Sequence, residues 1–243
     1  MIPILWIHGF PLSSAIFEPQ KRIAGYRHLC PDLRGFGSAG APDAETSMAS
    51  YSRDLLAYLD KENVDRCVLA GFSMGGYIAM QLLRDAPQRF AALLLLDTRE
   101  TADTAEGRVN RMKQADEVAR RGTGSLIDAM LPKMVVQDAC RADVRRIMET
   151  ASVPGVIAAL KAMAARPDSA DTLRSVTMPA FVIAGDRDEI TPLSDAERMA
   201  ALLPNAELAP IARAGHMANF EASEQVNNLV AAFLGRALRT SHT

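Results

Sequence analysis

Residues 71–75 read Gly71-Phe72-Ser73-Met74-Gly75, and Gly76 follows. An apolar run at 66–70 leads into this G-x-S-x-G sequence and a helical pattern at 74–85 leaves it. In that setting a sharp strand-to-helix turn can hold Ser73 in a strained backbone conformation with its hydroxyl presented. Side chains at 71 or 75 would collide with the neighbouring strand and helix, which is the reason for glycine there. The helix that starts beside Ser73 points its positive end at a reacting oxygen. The chemistry that fits is nucleophilic attack, and a serine hydroxyl is a poor nucleophile unless a base takes its proton.

The chain has four histidines: His8, His28, His216 and His242. His242 lies in the C-terminal tail, and His28 falls inside a strand pattern. His8 ends the first apolar run and precedes Gly9-Phe10-Pro11. His216 lies in Ala214-Gly215-His216-Met217, between the last strand pattern and the last helical one. That connection falls at the carboxyl edge of a parallel sheet, as Ser73 does, so His216 is the expected base and His8 its rival. A base needs a carboxylate to fix its tautomer and orientation. Asp188 is the expected acid, in Gly185-Asp186-Arg187-Asp188-Glu189-Ile190-Thr191-Pro192 just after the run at 180–184. Asp97, which ends the run at 90–96, is the alternative. Asp186 is expected to organise the turn, and Glu189 to be a solvated or lid-facing charge.

Those residues need a frame. Six short apolar runs, at 2–7, 26–30, 66–70, 90–96, 180–184 and 206–211, read as buried parallel strands. Helical patterns lie between them, at 49–61 and 74–85, and a last stripe holds Val226, Leu229, Val230, Phe233 and Leu234. Such alternation predicts an α/β fold. From about 98 to 176 it stops. This stretch is helix-prone, with segments near 107–121, 123–131, 139–151 and 153–165, and carries five of the twelve methionines. The expected organisation is a core formed by 1–97 and 177–243 with a helical cap at 98–176. The cap is expected to cover the sheet's carboxyl edge, where ligands bind in open α/β sheets, and to hinge near Thr98 and Val176.

Composition supports one large domain with an insertion. The 243 residues are 49% hydrophobic and 23% charged, which excludes a disordered chain. A formal net charge of -2 shows no basic excess for nucleic acid or an anionic membrane. Cys30, Cys67 and Cys140 form no CxxC motif and are expected to be buried reduced thiols. No basic segment precedes the apolar residues 2–7 and no A-x-A site follows them, as a secretory leader would require. The longest apolar run, 90–96, is far short of the roughly 20 residues that cross a bilayer. A soluble cytoplasmic protein is expected.

Taken together, five segments resemble the α/β-hydrolase superfamily over nearly the whole chain. They are His8-Gly9-Phe10-Pro11, Asp32-Leu33-Arg34-Gly35-Phe36-Gly37-Ser38, Gly71-Phe72-Ser73-Met74-Gly75-Gly76, the Gly185…Asp188…Pro192 segment and Gly215-His216. Within that superfamily the chain looks most like small bacterial carboxylesterases and 3-oxoadipate enol-lactonase-like hydrolases. The chain order Ser73, Asp188, His216 is the one such enzymes use. The resemblance implies an α/β-hydrolase fold with a mostly parallel sheet of about six strands and an all-helical cap. It makes Ser73 the nucleophile, Asp188 the orienting acid and His216 the base. It places an oxyanion hole at the backbone N–H groups of Phe10 and Met74. His8 would brace the oxyanion loop and Arg34 would tie a nearby loop. The resemblance implies a β-hairpin before the first of these strands that the residues ahead of His8 leave no room for; 26–30 is then expected at a sheet edge, covered by a partner copy unless the chain simply begins late, and a monomer or a homodimer is expected.

The implied activity is hydrolysis of carboxylic esters with small to medium acyl groups through an acyl-enzyme, with no metal or organic cofactor. The alternatives are an enol-lactonase, a carbon–carbon bond hydrolase of aromatic breakdown, or a small-molecule receptor built on the same fold. Phe10 and Met74, with Phe72, Met217, Met130 and Met134, would give an apolar, adaptable pocket. Arg99, Arg108 and Arg111 read as surface charge, so no cationic clamp for a dicarboxylate is evident. The partner is a small-molecule ester or lactone, not nucleic acid or membrane.

Overall fold

The computed structural model describes residues 2–42 and 45–239; His242 lies outside them. Strands β1 (Ile4–Ile7), β2 (His28–Leu29), β3 (Cys67–Phe72), β4 (Phe90–Leu96), β5 (Ala180–Gly185) and β6 (Ala206–Ile211) form one sheet in the order β2-β1-β3-β4-β5-β6. Every neighbouring pair is parallel. The chain runs from β1 to β2 on one side and then returns to place β3 on the other. The strand order therefore reverses between β1 and β3, and the crevice beyond the carboxyl ends of two such strands is where α/β sheets bind ligands.

Helices α1 (Met48–Lys61), α2 (Met74–Asp85), α8 (Leu193–Leu202) and α10 (Ser223–Ala237) cover the sheet, and α9 (Ala218–Glu221) precedes the last of them. Between β4 and β5 lie α3 (Ala105–Arg121), α4 (Gly124–Met134), α5 (Asp138–Met148), α6 (Val153–Ala164) and the short α7 (Ala170–Arg174). Strand β4 shows why these strands read as unbroken apolar runs. All of FAALLLL is buried. Leu93 and Leu95 pack with Leu55 of α1 and Ile78 of α2 in one layer; Leu94 and Leu96 pack with Val230 and Phe233 of α10 in the other. A strand covered on both faces has no polar side to alternate with.

The structure departs from the expected boundaries in particular places. The run at 26–30 shortens to the two residues of β2, because Pro31 follows and offers no N–H to extend a ladder. An edge strand this short presents little to pair with. The other edge, β6, carries Pro210, which likewise removes a ladder donor. Strand β3 runs to Phe72, so the sheet delivers the chain directly to Ser73. Helix α4 continues through Pro132 to Met134, and α7 was not legible as a helix. Cys67 is buried, whereas Cys30 and Cys140 are only half-buried; all three are free thiols. Burial pushes the Cys67 thiol up to about 12.

Both stems of the helical block are fastened to the sheet side. Arg166, buried, donates to Asp103 Oδ1 (2.7 Å) and to the carbonyls of Thr101 (2.9 Å) and Met163 (3.0 Å). Its guanidinium carbon lies 4.1 Å over the Tyr77 ring of α2. The Ser169 N–H reaches the Glu100 carbonyl at 2.9 Å. Arg84 of α2 donates to the Asp168 carbonyl and the Ser169 hydroxyl, each at 2.8 Å. Among the described residues no single helix is long and apolar enough to cross a membrane.

Candidate active site

Ser73 occupies the one-residue turn between β3 and α2, with φ 52° and ψ −115°. A positive φ is unfavourable for a residue with a side chain and persists only where its surroundings enforce it. Here they do. The Ser73 N–H donates to Leu96 O at 3.0 Å, and the Ser73 carbonyl accepts from the Thr98 hydroxyl at 2.7 Å and the Gly76 N–H at 2.9 Å. The turn is crowded as expected: a Cβ on Gly71 would lie 2.5 Å from Gly75 O, and one on Gly75 2.0 Å from Ile7 O.

His216, Asp188 and Ser73 form one hydrogen-bonded chain from three separate loops. His216 Nε2 lies 2.9 Å from Ser73 Oγ, and His216 Nδ1 lies 2.7 Å from Asp188 Oδ2. Asp188 is fixed in turn by its own loop. Its Oδ1 accepts the N–H groups of Ile190 (2.7 Å) and Thr191 (3.0 Å), and its Oδ2 accepts the Thr191 hydroxyl at 2.5 Å. Burial alone would raise this carboxyl's pKa. The His216 charge and the hydrogen bonds from His216 and Thr191 outweigh burial and hold it below the ordinary carboxylate range. The acid therefore stays ionised, and an ionised acceptor at Nδ1 fixes the tautomer that leaves Nε2 free to accept from serine. The Thr191 clamp was missed in the sequence; its trace there is a hydroxyl residue three positions after the acid.

The rivals have other work. His8 uses both ring nitrogens: Nδ1 donates to the Gly9 carbonyl (2.9 Å) and Nε2 accepts the Leu33 N–H (3.0 Å). Burial lowers its pKa to about 4, against the opposing pull of the Gly9 bond. It is a neutral brace between the loop after β1 and the loop after β2. Asp97 receives the Gly185 N–H at 2.7 Å, and its second oxygen is buried with no hydrogen-bond partner. Burial, reinforced by the nearby Asp188 charge, raises its pKa well above the ordinary range.

The loop after β1 crosses directly in front of the serine. A Cβ on Gly9 would come within 3.0 Å of Ser73 Cβ, and Phe10 follows, edge-on to Phe36 at 6.2 Å. Met74 is the first residue of α2, so its N–H is one of the first-turn donors that a helix leaves without an internal acceptor.

Of the expected pocket residues, Phe72 lies 5.2 Å from the His216 ring between ring centres. The Met217 N–H donates to the Met134 carbonyl at 3.1 Å. Phe72, Met134 and Met217 are fully buried; Met130 is half-buried and packs against both core layers. Asp186 accepts the Arg213 N–H at 2.7 Å and Glu189 is exposed. Arg34 makes a two-pronged pair with Asp54 of α1, at 2.6 and 2.5 Å. Arg99 pairs with Asp195 at 3.0 Å and donates to the Ile190 carbonyl in the acid's loop. Arg111 pairs with Asp103, and Arg108 is exposed.

The chain is similar in sequence and fold to known proteins. A solved thermophilic esterase from Thermogutta terrifontis is 32% identical with a TM-score of 0.94, over 98% of this chain and 90% of the other. The dihydrolipoyllysine-residue acetyltransferase component of the acetoin cleaving system of Pseudomonas putida is 31% identical over 96% of this chain, which spans only 63% of that relative's length. A 2-hydroxy-6-oxononadienedioate/2-hydroxy-6-oxononatrienedioate hydrolase from a Pseudomonas species is 27% identical over 88% of this chain and 78% of its own. The model of the alpha/beta hydrolase family matches residues 4–229, and the chain belongs to that family.

Proposed function

We propose that this protein is a serine hydrolase that cleaves carboxylic esters of small to medium acyl groups. The observation that carries this reading is the unbroken chain Ser73 Oγ–His216 Nε2, His216 Nδ1–Asp188 Oδ2 at the carboxyl edge of the sheet. Ser73 Oγ attacks the ester carbonyl carbon as His216 takes its proton. The carbonyl oxygen becomes an oxyanion, received by the N–H groups of Phe10 and Met74. Each such donor is worth about 3–4 kcal/mol in reactions of this type. When the tetrahedral carbon collapses, the C–O bond to the alcohol breaks and His216 returns its proton to that oxygen. Water, deprotonated by His216, then releases the acid from Ser73. Asp188 stays ionised throughout and stabilises the imidazolium. The likeness to the Thermogutta esterase supports the choice of esters.

The helical block 98–176 serves as the cap over this edge. A second reading, hydrolysis of a carbon–carbon bond, draws on the 27% identical dienedioate hydrolase. The pairing of Arg99 with Asp195 and of Arg111 with Asp103 weighs against it, because each guanidinium already faces a carboxylate of this chain.

Brief exposure to p-nitrophenyl acetate at low pH, followed by peptide mass analysis, tests the proposal. An added acetyl group on the peptide holding Ser73 is expected. Turnover of the ester with acylation at another residue, or at none, would contradict it.

A further inference from the structure

The loop that carries His216 is bound to the cap, and most of the binding converges on one side chain. Glu221, the last residue of α9, accepts the N–H groups of Val136 and Gln137 on Oε1, each at 2.7 Å. Its Oε2 accepts the Gly215 N–H at 2.6 Å. A fourth bond, Met217 N–H to Met134 O at 3.1 Å, spans the same seam. Met134 ends α4, residues 135–137 join it to α5, and Gly215 immediately precedes His216. The seam is tight: a Cβ on Gly215 would meet Glu221 Oε2 and Val136 Cγ1, each at 3.2 Å, and Met134 O at 3.3 Å.

Three amide donors around one carboxylate make a charge-assisted clamp, and the reaction steps above give Glu221 no part. Building on the serine-hydrolase reading, we propose that Glu221 is a positioning residue that locks the His216 loop to the α4–α5 half of the cap. Asp188 orients the imidazole ring through Nδ1, whereas the clamp fixes the backbone from which the ring projects. Lifting α4–α5 away from the sheet breaks the bonds at 134–137, so access to the site and alignment of the base change together. An open cap is then an idle enzyme, and closure over substrate completes the base.

Glutamine tests this with almost no change of shape. Its amide has one acceptor oxygen and one donor NH2, and the three N–H groups lie against both positions. Whichever way the amide turns, at least one backbone N–H faces another donor. Two quantities are measured for wild type and Glu221→Gln: steady-state kinetics per titrated active site, and the second-order rate at which a small fluorophosphonate labels Ser73. A fall in kcat of about tenfold or more is expected, the scale for ångström-level misplacement of a catalytic group. KM should stay within about threefold, since substrate contacts remain. Labelling should slow by the same factor as kcat. Gly215→Ala, which crowds the same seam without removing the charge, should reproduce the effect. Wild-type kcat and labelling rate in a folded Glu221→Gln protein overturn the proposal; if that variant folds poorly, an unchanged kcat in Gly215→Ala does so. Failure of the wild type to label at Ser73 would instead remove the serine-hydrolase reading.

Discussion

Gly75 and Ile7 approach so closely that a Cβ on Gly75 would stand 2.0 Å from the Ile7 carbonyl oxygen. This contact seats the first turn of α2 against the carboxyl end of β1, beside the point where the loop of His8, Gly9 and Phe10 departs. The obstacle is backbone, so a rotamer change cannot relieve it. Gly75→Ala must shift α2 or β1. We expect kcat/KM for p-nitrophenyl esters to fall about 10²-fold in the folded variant, the cost of small displacements at a reacting centre. Wild-type kcat/KM in Gly75→Ala would show that this approach does not set the geometry.

The two buried aspartates should respond in opposite ways to amidation. Asp188→Asn presents an NH2 to His216 Nδ1 and favours the wrong tautomer, so kcat should drop about 10³–10⁴-fold. Burial, reinforced by the Asp188 charge, raises the Asp97 pKa well above the ordinary carboxylate range, and Asp97→Asn should keep kcat within about tenfold. Stability gives a second readout. A carboxyl whose pKa is raised on folding loses stability as pH climbs above the unfolded value of about 3.9. Asparagine removes that loss, so urea unfolding should show Asp97→Asn gaining on wild type as pH rises above about 4. A variant that loses ground over that interval would contradict the assignment.

His8 gives a pH dependence of the other kind. Its pKa falls from 6.5 to about 4 on folding. The unfolded chain therefore binds a proton that the folded one excludes, and stability is lost as pH falls from the unfolded value toward the folded one. The full effect is about 3 kcal/mol, at about 1.4 kcal/mol for each pKa unit. His8→Gln should be less stable than wild type near neutrality and lose less on acidification, in urea titrations at about pH 7 and about pH 4.5. Parallel acid limbs for the two proteins would show that His8 is not the neutral brace described.

Arg166 holds the stem of the cap through Asp103, two carbonyls and the Tyr77 face. Arg166→Met leaves Asp103 with Arg111 alone and frees both carbonyls. A loss of about 3 kcal/mol in urea unfolding is expected, the lower end for breaking a buried pair because Arg111 remains. Arg166→Lys should recover little, since a lysine cannot fork to three acceptors and lie flat on a ring. Full recovery by lysine would reduce the site to a point charge.

The strands and the nucleophile turn were legible because their causes are local. Strand β4, buried on both faces, must read FAALLLL, and Ser73 must be flanked by small residues where α2 meets β1. His216 and Asp188 were legible because chain order and sheet direction place their loops at one edge. Thr191 and Glu221 were not. Thr191 matters through the fold of its own loop, and Glu221 through the cap junction 85 and 84 positions away, a pairing that no periodicity records. The choice between Asp97 and Asp188, likewise, rests on which carboxylate the imidazole reaches. Nor does any periodicity record the bond from the Thr98 hydroxyl, beside the expected hinge, to the Ser73 carbonyl.

The most direct test of the serine mechanism is turnover of p-nitrophenyl esters from C2 to C12 by wild type beside Ser73→Ala. The wild type should hydrolyse the shorter esters, and Ser73→Ala should lose about 10³-fold or more of kcat while remaining folded, the scale for removing the nucleophile of such a chain. Ester hydrolysis that survives the substitution within tenfold, roughly the limit of a non-catalytic effect, would contradict the role given to Ser73.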